Sequence, residues 1–160
     1  MATGASKAVS KIKSWLNYSE SNGKAQTYIM KPYNKLMGCK LNVKSTPWCQ
    51  ITIVSLFYQT GTVKAGYCKS AGCTQAKKWY VSKKRFSKKG ATPAVGDQVF
   101  YDFKKKGKGN PTHTGLVVSV DTKKHTCKVC EGNKSNKVAY RTINYLTYTY
   151  LIGFGKPQYK

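Results

Sequence analysis

Acidic residues are scarce. Only Glu20, Asp97, Asp102, Asp121 and Glu131 stand against 29 lysines and arginines. Five scattered carboxylates do not suit a calcium or magnesium cage, which draws on several closely spaced acids. Arginine is scarcer still: Arg85 and Arg141 are the only two, so 27 of the 29 basic residues are lysine. Arginine reads planar phosphates and guanine edges with paired bonds, whereas lysine attracts anions as a mobile point charge. Histidine is limited to His113 and His125. No stretch approaches the roughly 18 apolar residues that a membrane helix requires. Met1 to Ser14 carries lysines but no apolar run after them, which excludes an ordinary secretory signal peptide. The expectation is a protein made in the cytoplasm.

What is present is 160 residues, one domain's worth of chain, and a single domain over residues 1–160 is expected. The net charge is +24, yet only 21% of the residues are charged and 40% are hydrophobic. A basic disordered tail is poor in aromatics. Here 12 Tyr, 5 Phe and 3 Trp place the charge on a folded body. Nucleic acid is one partner class for such a surface. Lys77 to Lys89 holds seven basic residues around Trp79, Tyr80 and Phe86, an interleaving that suits single strands. The shortage of arginine and the lack of a binding motif keep nucleic-acid binding as the alternative reading.

Six cysteines permit three disulfides; if one is a nucleophile, at least one other stays unpaired. Cys127-x-x-Cys130 has the spacing of a zinc ribbon or a redox pair, but a ribbon needs two such pairs and Cys68-x4-Cys73 is too wide. No metal and no cofactor is expected. A zinc- or disulfide-built interaction domain remains a third reading.

The periodicities place helices first. Ser6 to Leu16 carries Ala8, Ile12, Trp15 and Leu16 at helical spacing. Asn22-Gly23 marks a turn, and Tyr28 to Leu36 reads as a short helix interrupted by Pro32. In the next segment Thr46 suits an N-cap, Pro47 the first helical position and Gly61 the stop. Ile51 to Val54 would also fit a strand, but the boundary signals lie about 14 residues apart, longer than a usual strand. Helix is the preferred reading, with Cys49 in its first turn. Thr62 to Pro93 reads as a linking region. Strands are predicted at Gln98 to Phe103, Thr114 to Val120, Thr126 to Glu131, Lys137 to Ile143 and Tyr145 to Phe154, with a lysine-glycine loop from Lys104 to Pro111. The fold class is α+β: N-terminal helices packed on an antiparallel sheet of five to six strands.

Few residues can do chemistry. Cys49 sits at a helix N-terminus, where backbone N–H groups and the dipole stabilise a thiolate. His113 begins an apolar strand and Glu131 ends the next one. Adjacent antiparallel strands can set those ends side by side, so that Glu131 holds His113 in one tautomer. Each residue also has a plainer reading: Cys49 as a buried small hydrophobe, His113 as a surface strand-edge residue, Glu131 as a partner of one of the lysines.

The pieces T-P-W-C-Q (46–50), P-A-V-G-D-Q-V-F-Y-D-F (93–103), H-T-G-L-V (113–117) and E-G-N (131–133) resemble, in order and spacing, the CHAP family, the cysteine, histidine-dependent amidohydrolases/peptidases of the papain-like superfamily. The resemblance spans roughly residues 5 to 155. It implies a phage or bacterial peptidoglycan hydrolase, an amidase or endopeptidase. Its partners would be the wall's stem peptide or cross-bridge, with anionic wall polymers drawn to the lysine surface. A monomer acting on the cell wall is expected, released by phage lysis or non-classical export. By position the resemblance makes Cys49 the nucleophile, His113 the base, Glu131 the group that orients it and Asn133 a fourth polar member. The Cys49 N–H would serve as one oxyanion donor. Asp97 is expected to be structural, forming the turn with Gly96. Some family members carry calcium in an acidic segment before the cysteine; Gly38 to Lys44 has no carboxylate, so no calcium site is expected there.

Overall fold

A computed structural model describes residues 3–160. Helices come first: α1 (Gly4–Ser14), a widened π-turn (Gln26–Met30) running straight into α2 (Lys31–Met37), α3 (Cys49–Thr60) and α4 (Cys73–Ser82). The strands are β1 (Phe86–Lys88), β2 (Gln98–Tyr101), β3 (His113–Asp121), β4 (Thr126–Lys134), β5 (Lys137–Asn144) and β6 (Leu151–Gly155). They form one antiparallel sheet in the order β1-β6-β2-β3-β4-β5. This is the expected α+β class.

α3 is the centre of the molecule. Every residue from Cys49 to Phe57 is buried. A helix enclosed all round needs a layer on each side. α1 and α2 cover one side, and β3 and β4 the other. Its buried hydroxyls are satisfied inside the core: Thr52 Oγ1 donates to the Trp48 carbonyl and Ser55 Oγ to the Ile29 carbonyl. Gly61, with φ of 58°, ends the helix in a left-handed cap.

Side-chain alternation divides the sheet into two faces. Leu116, Val118, Cys130 and Val138 pack on the helical core. Val99, Val117, Cys127, Val129 and Ile143 pack on the other face with Tyr145, Leu151 and Phe154. Burying each such side chain is worth about 1.5–3 kcal/mol. α4 covers the β1 end of the sheet, setting Ala76 and Tyr80 on Phe100.

Several boundaries differ from those expected. The central helix starts at Cys49, so Thr46 is not its N-cap and Pro47 is not its first residue; Trp48 takes the capping position with no side-chain cap. The Ser45 and Thr46 N–H groups are spent instead on the Asn42 carbonyl, in a preceding turn. Pro32 does not interrupt its helix. The chain stays helical through it from the π-turn into α2, and the Tyr28 carbonyl, four residues before the missing N–H, accepts from Gln59 Nε2 instead. The linking region is structured, holding α4 and β1. The last strand begins at Leu151 because the Asn144 side chain accepts from the Leu146 and Thr147 N–H groups and bends the chain into a turn.

Candidate active site

The N-terminus of α3, the start of β3 and the end of β4 meet at one point on the edge of the core. Cys49 is the first residue of α3 and is 7% exposed. The first N–H groups of a helix lack intrahelical partners and are free to face an anion. The Gln50 N–H, on the same helix, helps to lower the Cys49 thiol. The Sγ of Cys73, first residue of α4, lies 3.6 Å from the Cys49 Sγ.

His113 is the first residue of β3. Its Nε2 lies 3.0 Å from Oε1 of Glu131, a fully buried carboxylate on β4. Nδ1 is thereby left free of Glu131, and Cys49 and the ring act on each other's ionisation. The imidazole is stacked on Tyr101, its cross-strand partner, at 6.0 Å between ring centroids, with Phe103 on its flank at 5.9 Å. Glu131 has a second partner in Arg141 on β5. Arg141 Nε donates to Oε1 at 3.1 Å and to Oε2 at 2.9 Å, and Nη1 donates to the Tyr148 hydroxyl at 3.3 Å. Its guanidinium lies 5.3 Å over Tyr101 and 5.0 Å over Phe103.

The motif glycines have steric reasons. A Cβ at Gly115 would lie 2.6 Å from Glu131 Cγ and 2.6 Å from Val129 Cγ1. A Cβ at Gly132 would lie 2.7 Å from Thr52 Cβ, driving β4 away from α3. Gly115 thus leaves room for the Glu131 side chain to lie across β3, and Gly132 lets β4 pass close to the helix that carries Cys49.

A buried polar chain fixes the same elements. Gln98 Nε2 donates to Gln50 Oε1 at 2.6 Å and to Thr114 Oγ1 at 2.9 Å, and Gln98 Oε1 accepts from the Tyr80 hydroxyl at 3.0 Å. Gln50 and Thr114 are the chain neighbours of Cys49 and His113. Tyr80 is on α4, which carries Cys73.

These contacts set the ionisation. The hydrogen bond from Cys73 is the largest influence on Cys49; burial opposes it, and His113 adds to it, bringing the thiol down to about 5. Cys73 is pushed the other way and keeps its proton. For His113 burial is the strongest single influence and favours the neutral ring, but the bonds and charges of Cys49 and Glu131 together outweigh it and lift the imidazole to about 9. Burial likewise works against the Glu131 carboxylate, and bonds from His113 and Arg141 hold it below the usual range. Thiolate, imidazolium, carboxylate and guanidinium thus alternate in sign. Such a set can present a nucleophile and a proton donor at neutral pH.

Of the residues expected in the site, Cys49, His113 and Glu131 are brought together. Asn133 is placed beside them. It has φ of 59°, at the bulge where β4 leaves register with β5, and it lines an open groove of about 310 Å³ with Phe103, Thr112, His113, Lys134, Ser135 and Arg141. Asp97 lies away from the site. Its Oδ2 accepts from the Ala94 N–H and from Lys156 Nζ, a structural turn as expected. Cys127 and Cys130 cannot share one ion, because they fall on opposite faces of β4. Burial pushes both thiols up to about 12. All six cysteines are free thiols, and among the described residues no group of three or more His, Cys, Asp or Glu side chains is placed to hold a metal. No helix among the described residues is long and apolar enough to cross a membrane.

Sequence reasoning missed Cys73, Arg141 and Gln98. Arg141 carried one signal, as one of two arginines on a strand neighbouring that of Glu131. Cys73, 24 residues from Cys49, carried none beyond being a cysteine.

A family model described as "CHAP domain" matches residues 42–133. The matched stretch is narrower than the 5–155 over which the resemblance was read. It runs from just before Cys49 to Asn133 and includes His113 and Glu131. The match supports, in general terms, an amidase- or peptidase-type enzyme with peptidoglycan as its substrate. No curated protein matches the chain.

Proposed function

Because the chain belongs to the CHAP family, we propose that it cleaves an amide bond of bacterial cell-wall peptidoglycan through a cysteine acyl-enzyme. The observation that carries this reading is the junction of three elements: Cys49 at the N-terminus of α3, facing a His113 whose other nitrogen is 3.0 Å from the buried Glu131. The Cys49 thiolate attacks the amide carbonyl, and the developing oxyanion sits at the helix N-terminus, where the Cys49 N–H is a donor. His113, already an imidazolium, gives its proton to the leaving amine. The ring, now neutral, takes a proton from water, and the resulting hydroxide cleaves the thioester and frees Cys49. Glu131 keeps the imidazole in place through both transfers, and Arg141 keeps Glu131 charged. Asn133 and Lys134, on the groove beside His113, are positioned to meet the peptide.

The test is loss of turbidity of Gram-positive cell walls. Wild type clears the suspension and Cys49→Ala does not; equal clearing by the Ala variant would falsify the reading. Mass spectrometry of the released fragments then names the bond. A new amine on L-alanine marks an N-acetylmuramoyl–L-alanine amidase, and a new amine within the peptide marks an endopeptidase.

A further inference from the structure

The family motifs account for Cys49, His113, Glu131 and Asn133 but give no part to the region from Cys68 to Lys89. Yet that region delivers a second sulfur to the nucleophile. Cys73 Sγ lies 3.6 Å from Cys49 Sγ, and each cysteine is the first residue of its helix. The N-terminal ends of α3 and α4 therefore meet at the sulfur pair, and both dipoles favour negative charge there. α4 is anchored for this contact: Tyr80 is buried against Phe100 and its hydroxyl is bonded to Gln98, which also holds Gln50.

One thiol of such a pair must donate and the other accept. The groups facing Cys49 decide which. On β3 there is His113, backed by Glu131 on β4 and Arg141 on β5. On its own helix there is the Gln50 N–H, and on α4 the Cys73 thiol. Among the described residues no cation is paired with Cys73, and the neighbouring Cys49 and burial both keep it protonated. A thiol is a weak donor to a neutral acceptor, but bonds to an ionised acceptor are about twice as strong.

We propose that Cys73 is a positioning residue for the nucleophile: its S–H donates to the Cys49 sulfur and holds it as a thiolate aimed at the substrate. The proposal rests on Cys49 being the nucleophile of the reading above. It gives α4 a role that the family motifs leave blank, since the helix brings a proton donor to within 3.6 Å of the Cys49 sulfur.

The test is the pH profile of Cys49 alkylation by iodoacetamide, read on the tryptic peptide 45–64, which contains no other cysteine. Wild type, Cys73→Ser and Cys73→Ala are compared, with far-UV circular dichroism as the check on folding. Cys73→Ala moves the acid limb up by about one pH unit or more, which slows alkylation roughly eightfold at about pH 4.5 and only about twofold near pH 6. Cys73→Ser keeps a donor and stays within about half a unit of wild type. An Ala profile superimposable on wild type overturns the proposal, as does a Ser profile displaced as far as the Ala one. If Ala unfolds the protein, Cys73→Val, which fills the space without a donor, takes its place under the same criterion. Alkylation needs no substrate, so an enzyme that fails to lyse walls sinks the functional reading while leaving this measurement intact.

Discussion

Arg141 grips Glu131 through a single nitrogen: Nε lies 3.1 Å from one carboxylate oxygen and 2.9 Å from the other. Glu131 is fully buried and Arg141 only partly so. The carboxylate thus faces two cations, one fixed at Arg141 and one that comes and goes at His113. A buried carboxylate with only a titrating partner would be uncompensated whenever that partner released its proton. Arg141 removes that difficulty, which makes it the support of the whole chain of charges.

Arg141→Leu should therefore cost more than a surface arginine. Removing one partner of a buried pair destabilises by about 3 kcal/mol or more. The Tyr101 and Phe103 rings also lose the cation that lies over them. Chemical denaturation measures the first effect, and wall clearing under conditions where the variant stays folded measures the second. Arg141→Lys keeps the charge but not the planar stack, and should fall between. A Leu variant as stable and active as wild type would remove Arg141 from the site.

In the proposed mechanism the reactive form pairs a Cys49 thiolate with a His113 imidazolium. The thiol is brought down to about 5 and the imidazole lifted to about 9. Below about pH 5 the thiolate is protonated and the nucleophile is lost. Above about pH 9 the imidazolium is deprotonated and the leaving amine has no acid. Activity should follow a bell with a broad plateau between these limits. Initial rates in a set of overlapping buffers at constant ionic strength test it. A profile that rises through pH 7 on a single limb would mean a neutral thiol–imidazole pair instead.

Much of the site was legible because its signals are local. Gly61 marked the end of α3, the Thr46-Pro47 start signal fell two residues early, and the apolar run after His113 marked β3. Glu131-Gly132 stands where β4 must pass close to Thr52, so the glycine reports a packing constraint. What could not be read depends on side chains that settle only in the assembled fold. α4 has just Ala76 and Tyr80 fully buried, among lysines, so its periodicity is weak. Tyr145 to Tyr150 alternates like a strand, but one Asn144 side chain turns it aside. The Cys49–Cys73 contact depends on how α4 docks on the β1 end of the sheet, which no local pattern encodes.

That sulfur contact predicts the response to peroxide. The Cys49 thiolate attacks one peroxide oxygen, giving a sulfenic acid and releasing hydroxide. Cys73 then displaces the sulfenic oxygen as water and forms a disulfide, so one peroxide is reduced and two thiols are oxidised. Activity should be lost with a mass decrease of about 2 Da and should return with dithiothreitol. Cys73→Ser has no resolving thiol, so its loss should become irreversible as the sulfinic acid forms. Equal recovery of the two proteins would show that the sulfurs do not pair.

The last prediction concerns the lysines. Among the described residues, Lys156 is the only lysine in an ion pair, with Asp97 at 2.7 Å. Glu131 is taken by His113 and Arg141, and Asp102 and Asp121 are spent on backbone N–H groups in turns. Four of the five acids are thus committed to the fold, and the net charge of +24 is left to act outward. A wall rich in polyanion would be drawn to such a surface at long range. Screening shortens that range to roughly 8 Å at 0.15 M salt. Wall clearing should therefore slow as salt passes that concentration, through weaker substrate association and not slower chemistry. An uncharged soluble peptide carrying the cleaved bond should show no such fall. If both substrates decline together, salt is acting on the charged groups around Cys49, and the lysine surface has no part in delivering the substrate.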